Sequence, residues 1–503
     1  MARSRITDWN PEDVAAWEAG NHAIARRNLF WLVVNVHVAF SVWYLWSVMV
    51  LFMPEPVYGF STKDKLLIDA VASLVGALVR IPYALAANWF GGRTWTTISS
   101  LVLLIPSAGA IVLLAHPGLP LWPYLVCAAL TGLGGGNYSS ALAKADGLYP
   151  QRRKGFALGL AGGMANLGSA TIQMVGLLVL ATAGHEAPYW VCAIYLTLLA
   201  IGGVGAALRM DDVVAHRAGL SFGNLRAILS VPDTWMLTFL YLCASGSFLG
   251  FAFAFGQVLQ HNFVASGQSE GHASLHAAEI AFIGPLLGSL ARILGGRLSD
   301  RFGGGRVVLS VFLGAIVAGG MLVAISTHDD LTRGDGAPVT GFTLAGYVVG
   351  FVALFIFCGA GKSPVYKLIP TVFEERSHGL GLPEDQRRDW ARVRSSSLIG
   401  FAGAFGALGG VGISMALRQS YAVEGTETPA FWIFFGCYIA AAILAWGRYV
   451  RPRAARERRS SAAEEVGRHR AEPQSSGGPS VVTDPDDDRP AAGAFRMASR
   501  KEL

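Results

Sequence analysis

Long apolar runs separated by short polar loops make up most of the chain between residues 29 and 449. Each run has about 18 residues or more, enough to cross a bilayer as an α-helix. The runs are continuous rather than alternating, which argues against the strands of a membrane β-barrel. We therefore predict an all-α membrane protein with twelve spans, near 29–52, 66–90, 96–115, 121–147, 155–182, 188–208, 233–260, 277–299, 307–327, 342–370, 395–418 and 430–449.

Polar segments divide these spans into two sets of six. The last segment is rich in charge, Ser, Pro and Gly, and too little of it is apolar to fold alone, so we predict that it is disordered. The predicted organisation is a cytoplasmic N-terminal segment (1–28), a first six-helix bundle (29–208), a cytoplasmic interdomain loop (209–232), a second six-helix bundle (233–449) and a disordered cytoplasmic tail (450–503).

Composition and charge support this interpretation. Hydrophobic residues are 52% and charged residues 15% of the chain, whereas about a quarter of a soluble domain is charged. Basic residues concentrate in alternate loops such as "QRRK" (151–154), "RLSDRFGGGR" (297–306) and "RRDWARVR" (387–394), and "QSYAVEGTETP" (419–429) on the other side has none. Basic loops face the cytoplasm, so both termini should be cytoplasmic. The net charge of +6 follows from these loops and the tail, and does not indicate a nucleic-acid partner.

A repeated motif places one arginine inside the second span of each half. "GALVRI" (76–81) and "GSLARI" (288–293) are each followed, after eight residues, by Phe-Gly-Gly. Each arginine lies roughly 16 Å along the helix from the end of its span, near the membrane midplane. The halves therefore resemble a duplication, an architecture in which transporters place their binding site between the two copies.

A buried arginine needs a partner. Placing it at the bilayer centre costs at least about 2.5–3.5 kcal/mol, and its guanidinium does not lose its proton. Few carboxylates lie in the spans: Asp69, Asp146 and Glu279 are all nearer to span ends than to the middle. A structural salt bridge is one alternative. We favour two pseudo-symmetric guanidinium groups, Arg80 and Arg292, facing a central cavity and binding a planar oxyanion through paired donors.

Glycine-rich spans and one charged turn are candidates for conformational change. Span four contains "GLGGGNYSSA", whose Gly134, Gly135 and Gly136 allow close and sliding helix contacts, although ordinary tight packing explains them equally well. The turn after span eight contains Asp300 and Arg301, which we predict to form a charge pair and helix-end interaction that holds one state. The corresponding turn after span two lacks the acidic residue, and a plain solvated loop is the alternative.

Together, these residues resemble the nitrate/nitrite porter family of the major facilitator superfamily. The similarity covers about residues 6–450 and includes "VRIPYALAANWFGGRTWT", "GLGGGNYSSALAKADGLYP" and "FIGPLLGSLARILGGRLSDRFGG". The resemblance implies twelve helices in two bundles, alternating access, and nitrate or nitrite as the substrate. It also implies a pocket formed by Arg80, Arg292, the rings of Tyr138 and Phe255, and Asn166.

The chain departs from the family pattern at several positions near this pocket. Ala161 stands where the family usually has asparagine, and Phe251 where it usually has tyrosine. "LAKAD" introduces Lys144 and Asp146, for which we expect a local surface pair, and "GAGKSPVYKLIP" introduces Lys362. Lys362 either reaches the cavity as a third cation, favouring a larger or more highly charged anion, or extends along a helix end. The departures leave the identity of the anion open.

The sequence thus predicts a secondary transporter of nitrate and nitrite in a bacterial cytoplasmic membrane. Without an evident midplane carboxylate we favour exchange, with a proton-coupled symporter or a carrier of another small anion as alternatives, and a non-transporting anion sensor as a third. The chain is not expected to be an enzyme or to need a cofactor or metal, since its five cysteines lie in apolar spans without ligand spacing. The family-level expectation is a monomer in the lipid bilayer, and any cytoplasmic partner of the tail is unknown.

Overall fold

The computed structural model describes residues 6–184, 187–215, 222–333 and 337–451, which are mainly helical. Contacts group residues 1–452 into one compact unit, and that unit is the one described below. The predicted disordered tail lies outside the described residues from 452 onward, and the predicted division into two bundles is not tested and stays a prediction.

The described residues of the first half form twelve α-helices, and several of these are pairs that continue one another across a short break. They are α1 (Val14–Ala16), α2 (His22–Trp43), α3 (Leu45–Met49), α4 (Glu55–Tyr58), α5 (Thr62–Leu78), α6 (Arg80–Phe90), α7 (Gly92–Leu101), α8 (Leu104–Ala115), α9 (Leu121–Gly132), α10 (Asn137–Leu148), α11 (Gln151–Ala183) and α12 (Tyr189–Arg209). A π turn (Trp17–Asn21) joins α1 to α2, and 3₁₀ turns follow α3 (Val50–Phe52) and α9 (Leu133–Gly136).

The second half has fewer and longer helices. One more helix, α13, lies in the connection between the halves. Together these helices are α13 (Phe222–Leu229), α14 (Pro232–Tyr241), α15 (Ser247–Ala265), α16 (Glu270–Ala281), α17 (Ile283–Phe302), α18 (Gly304–Thr332), α19 (Gly341–Ser377), α20 (Glu384–Val423) and α21 (Thr428–Ala445). π turns follow α14 (Leu242–Gly246) and α21 (Trp446–Val450), and a 3₁₀ turn follows α19 (His378–Leu380).

Within the described residues, ten continuous helical segments are long and apolar enough to cross a membrane, and a bent pair, Val14–Trp43 with Leu45–Phe52, raises the number to eleven. The remaining predicted span, 121–147, is helical as α9 and α10, but the glycine-rich turn and the polar residues after it make it less apolar. The multi-span helical prediction is confirmed, and the count of twelve stays a prediction for this span.

The duplicated motif corresponds to duplicated geometry. α6 ends at Phe90 and α17 ends at Phe302, and each is followed by a glycine with positive φ, +89° at Gly91 and +86° at Gly303. Only glycine adopts this backbone region without strain, so both copies reverse the chain at the same point of the motif. The next helix begins one residue later in both halves.

The N-terminal segment is tied to the connection between the halves. A short strand, β1 (Ile6–Trp9), pairs in parallel with β2 (Val213–Ala215), which follows α12. Asp211, just before β2, forms an ion pair with Arg27, and its backbone exchanges two hydrogen bonds with the Asn28 side chain at 2.9 and 3.0 Å. We call the side of the molecule with this strand pair the strand face, and the opposite side the far face.

Contacts between the halves concentrate toward the far face, where α3 ends and α5 begins. The ring of Tyr44 stacks on Phe253 with centroids 4.2 Å apart, and Gln257 on α15 donates a hydrogen bond to the Asp69 carboxylate on α5. The halves are therefore packed together on this side. Further contacts join Tyr44 Oη to Leu249 O (3.5 Å), Gln260 Nε2 to Leu51 O (3.5 Å), Gln173 Nε2 to Ala252 O (2.9 Å) and Thr62 Oγ1 to His261 Nδ1 (3.4 Å).

Candidate functional site

Two arginines from opposite halves converge on one tyrosine. The guanidinium carbon of Arg80 lies 4.9 Å from the ring centroid of Tyr138, and Nη1 and Nη2 of Arg292 lie 3.5 and 3.4 Å from its hydroxyl oxygen. Tyr138 is 5% exposed and belongs to α10. The pseudo-symmetry seen in the sequence therefore brings the two guanidinium groups to opposite parts of one phenol.

Arg80 is held by both halves of the molecule. It is the first residue of α6, next to the break at Val79, and is 3% exposed. Nη1 donates a 2.7 Å hydrogen bond to the backbone carbonyl of Gly403 on α20, and the guanidinium carbon lies 5.4 Å from the Trp43 ring centroid. Its Nε has no hydrogen-bond partner among the described residues, so this donor is available to a ligand.

Arg292 reaches the site from the middle of α17 and is half-buried. A Cβ placed on Gly162 of α11 would lie 3.6 Å from Nη2, so the glycine leaves space beside the guanidinium. Tyr241 and Tyr366 are close enough to interact electrostatically with Arg292, and their rings stack 4.2 Å apart. The resemblance to the porter family did not indicate these two tyrosines.

Lys362 completes a cluster of three cations. Its side chain lies in α19, is 2% exposed, and donates from Nζ to Asn166 Oδ1 at 3.4 Å. The same Nζ lies 3.4 Å from the ring centroid of Phe248. Of the two alternatives left open by the sequence, the structure has Lys362 in the interior beside Asn166 rather than at a helix end. Each of the three cations thus donates a hydrogen bond to the opposite half.

Among the described residues, none of these three cations forms an ion pair with a carboxylate. The buried carboxyl of Asp69 contacts Gln257 instead. Buried charges normally require a partner of opposite sign, and an anion bound between the halves would supply one. In the same part of the chain, no cluster of three or more His, Cys, Asp or Glu side chains could hold a metal ion.

The two phenylalanines predicted to line the pocket pack against other rings of the second half, and their part in binding an anion stays a prediction. Phe255 has its ring centroid 4.8 Å from Phe351, and Phe251 lies 5.3 Å from the same ring. Both are fully buried within an aromatic cluster of the second half. The aromatic rings that face the cations are Tyr138, Trp43 and Phe248, and the last two were not predicted.

The predicted gating residues occupy two places. A Cβ on Gly134 would lie 2.2 Å from the carbonyl oxygen of Ala39, one on Gly135 would lie 2.8 Å from Gly76 Cα, and one on Gly136 would lie 2.6 Å from the Tyr83 ring. These glycines thus permit close helix packing in the first half.

The charged residues predicted in the turn after span eight lie in the last turn of α17, which contacts another helix. Asp300 forms an ion pair with Lys367 of α19, and Lys367 also donates to Ser299 O at 3.1 Å. The Arg301 guanidinium lies 5.2 Å from the ring of Phe302. Lys144, a departure from the family for which a surface pair is predicted, is instead 9% exposed and lies beside Gly92.

Comparison with known proteins agrees with this architecture. Residues 31–383 match the sequence profile of the Major Facilitator Superfamily. Solved structures with a similar fold include the nucleoside transporter NupG, with a TM-score of 0.55, 15% identity and coverage of 84% of this chain and 98% of that one. A bacterial homologue of the human lysosomal transporter Spinster has a TM-score of 0.56 and 17% identity, covering 83% of this chain and 95% of that one.

Several curated relatives are closer in sequence and cover nearly the whole chain. The nitrate/nitrite transporter NarU of Salmonella typhimurium is 32% identical over 89% of this chain and 97% of its own length. NarU of Escherichia coli is 31% identical over 90% of this chain and 97% of its own. The probable nitrate/nitrite antiporter NarK2 of Thermus thermophilus is 29% identical over 89% and 96%. This chain is therefore a divergent member of the nitrate/nitrite porter family within the Major Facilitator Superfamily.

Proposed function

We propose that this protein carries nitrate and nitrite across the bacterial cytoplasmic membrane by alternating access, exchanging one anion for the other. The observation that carries the proposal is the convergence of Arg80 and Arg292 on Tyr138 without a carboxylate partner among the described residues. The relatives NarU, a nitrate/nitrite transporter, and NarK2, a probable nitrate/nitrite antiporter, support nitrate and nitrite as substrates.

A planar monoanion suits this arrangement for chemical reasons. Guanidinium groups present parallel N–H donors in a fixed fork, which matches two oxygens of a flat oxyanion. Among the described residues, the Arg80 Nε donor has no hydrogen-bond partner, and the Arg292 guanidinium makes only long hydrogen bonds of 3.4–3.5 Å. Both groups therefore have hydrogen-bonding capacity to offer a bound anion.

The same contacts suggest how the anion is linked to movement. Arg80, Arg292 and Lys362 each donate to the opposite half, so the bonds between halves in the centre of the molecule are made by the cations of the site. A bound anion would take over some of these donors and balance their charge, which lowers the cost of separating and re-forming the halves around it. In the structure the halves are packed toward the far face, which our orientation assigns to the outside of the cell.

Counterflow in proteoliposomes tests the proposal. Vesicles containing the purified protein are loaded with nitrite, and labelled nitrate is added outside. We expect nitrate to accumulate with wild-type protein and to fall to background with Arg292→Ala. Arg297→Ala, at the end of the same helix, is the control that should keep transport. A folded wild-type protein that binds nitrate without moving it would contradict transport and support the sensor alternative.

A second candidate is a carrier of a different small anion on the same fold. It is favoured by the buried position of Lys362, which adds a third cation beside Arg80 and Arg292. Three positive charges would match an anion with more negative charge than nitrate. Thermal stabilisation by nitrate, nitrite, sulfate, phosphate and small carboxylates, measured on the same preparation, separates the two: the true substrate should give the largest shift.

The remaining parts of the proposal concern setting and assembly. We expect a multi-pass inner-membrane protein with both termini in the cytoplasm, working as a monomer without a cofactor. Accessibility of cysteines introduced at the basic segment 151–154, at the start of α11, and at the acidic loop 424–427 would test the orientation. Labelling of the acidic loop alone from outside the cell is the expected result.

A further inference from the structure

Lys362 differs chemically from the two arginines beside it. A guanidinium keeps its proton at any pH that a protein experiences, whereas a buried amine releases its proton readily. Lys362 is 2% exposed, and its only hydrogen-bond acceptor in the described part of the chain is the amide oxygen of Asn166 at 3.4 Å. An ammonium has three donors, so a single long hydrogen bond and one aromatic ring satisfy it poorly.

The groups that surround Lys362 come from several helices. Arg292 on α17 and Arg80 on α6 are both cationic and repel an ammonium at Nζ electrostatically, while Cys358 lies one turn away on its own helix. α11 contributes the neutral Asn166, and α15 contributes Phe248. The phenols around Arg292, on α10, α14 and α19, are Tyr138, Tyr241 and Tyr366.

The charge of this site therefore depends on whether it holds an anion. When the site is empty, no carboxylate among the described residues balances a positive charge on Lys362 beside the permanent charges of Arg80 and Arg292. When an anion is bound, its negative charge stabilises a proton on Lys362, because an opposite charge nearby favours the charged form of the amine. Anion binding and protonation of this amine thus reinforce each other, and thermodynamic linkage makes the effect reciprocal.

We propose that Lys362 takes up a proton together with the transported anion and releases it when the anion leaves, so that net movement of one anion carries about one proton. The Nζ lone pair forms an N–H bond with a proton from water on the entry side, and that bond breaks to return the proton to water on the exit side. The proposal rests on the anion transport proposed above and names its coupling.

Exchange and symport would then be two modes of one site. When one anion replaces another, the proton stays on Lys362, and exchange needs no pH gradient. When the anion leaves and no other anion replaces it, the proton leaves with it. The empty protein then changes conformation with Lys362 in its neutral form. The site needs no separate proton pathway, because anion and proton reach it from the same side.

The first measurement is proton uptake on binding. Nitrate is added to the purified full-length protein in weakly buffered detergent solution containing a pH indicator, and bound nitrate is measured in parallel. We expect about one proton taken up per nitrate bound by wild-type protein near the pH at which the empty amine is neutral. Lys362→Arg keeps a cation that cannot titrate, and its ratio of protons to bound nitrate should fall to near zero.

Transport provides the second measurement. Proteoliposomes with an internal pH indicator and a clamped membrane potential receive external nitrate with no anion substrate inside. Wild-type protein should acidify the interior, and Lys362→Arg should not, whatever its rate of counterflow. Lys367→Arg, on the same helix but paired with Asp300 at the surface, should keep the wild-type ratio of protons to anions.

The outcomes separate the two proposals. Absence of both nitrate binding and counterflow in folded wild-type protein overturns the proposed function. Counterflow without proton uptake in either assay overturns the role of Lys362 and leaves nitrate exchange standing. An unchanged proton-to-nitrate ratio in Lys362→Arg assigns the proton to another group and equally overturns it.

Discussion

The hydroxyl oxygen of Tyr138 accepts a hydrogen bond from Nη2 of Arg292 at 3.4 Å, which connects α10 of the first half to α17 of the second. The ring of the same tyrosine lies 4.9 Å from the guanidinium carbon of Arg80. One side chain therefore links both arginines, through its hydroxyl on one side and its aromatic face on the other. A substitution of Tyr138 can remove the hydroxyl contact with Arg292 while it keeps the ring contact with Arg80.

Tyr138→Phe removes the hydroxyl and keeps the ring. Arg292 loses an acceptor in the empty protein, and a hydrogen bond to a charged group contributes about 1.5–3 kcal/mol. We expect the empty protein to melt at a lower temperature and the stabilisation by nitrate to increase, because the anion now replaces a missing partner. Melting curves in detergent with and without nitrate test this. A smaller nitrate-induced shift than in wild type would mean that the hydroxyl itself binds the anion.

The glycine-rich turn of the fourth span gives a packing prediction. Gly134→Ala would place a methyl group 2.2 Å from the carbonyl oxygen of Ala39, which requires α2 and the 3₁₀ turn after α9 to move apart. Overpacking of this kind typically costs about 1–3 kcal/mol. We expect a lower melting temperature and loss of counterflow. Gly436→Ala on α21, where a Cβ meets nothing within 4 Å, is the matched control and should leave both unchanged. Wild-type stability of Gly134→Ala would contradict the described helix contact.

A buried charge cluster ties three helix ends of the second half together. Asp233 is 1% exposed and accepts from Arg376 Nη2 at 2.6 Å and from Arg448 Nε at 3.0 Å. Breaking a buried ion pair costs up to about 3–5 kcal/mol, and less here because both arginines are partly exposed. We expect Asp233→Asn to lower the melting temperature clearly more than Arg376→Gln, which leaves Arg448 in place. Equal effects of the two substitutions would mean that Arg448 contributes little.

Much of the fold could be predicted from the sequence because spans and repeats are local signals. Continuous apolar runs predicted the helices, and the repeated motif predicted that Arg80 and Arg292 lie at related positions. The pairing of β1 with β2 could not be predicted, because it joins residues about two hundred positions apart in short polar segments whose pattern does not specify a partner. The break at Val79, by contrast, is indicated by Pro82, which has no N–H to donate to the carbonyl of Leu78 four residues earlier.

The sequence indicated Tyr138, but not Trp43 or Phe248, as a ring that lies against the cations. Phe248, Phe251 and Phe255 are spaced by three and four residues, so helical periodicity places them on one face of α15. The position along the helix axis decides which ring contacts a cation. Phe251, the next of the three, lies about one turn, or about 5 Å, further along α15 than Phe248. Phe248 lies at the level of Lys362, and the other two pack with Phe351. Sequence spacing alone does not specify this depth.

Asp69 provides a prediction at the contact between the halves. Its side chain is fully buried, one carboxyl oxygen accepts a hydrogen bond from Gln257, and the other has no hydrogen-bond partner among the described residues. The Oε1 atom of Gln257 also has no hydrogen-bond partner among the described residues. Burial without a cation favours the neutral form of a carboxyl group, and an asparagine amide has nearly the same shape and can donate to that free oxygen. We therefore expect Asp69→Asn to keep or raise the melting temperature.

Asp64, five residues earlier on the same helix, is the matched comparison. Its carboxylate accepts from the backbone N–H of Ser61 at 3.1 Å within a capping box at the start of α5, where negative charge is favourable. Asp64→Asn keeps an acceptor oxygen but loses the negative charge, so it should lower stability by about 0.3–1 kcal/mol. Melting curves of the two variants at neutral pH should move in opposite directions or differ clearly. A large loss of stability in Asp69→Asn would show that this carboxyl is ionised in the folded protein and has a cationic partner when the halves close.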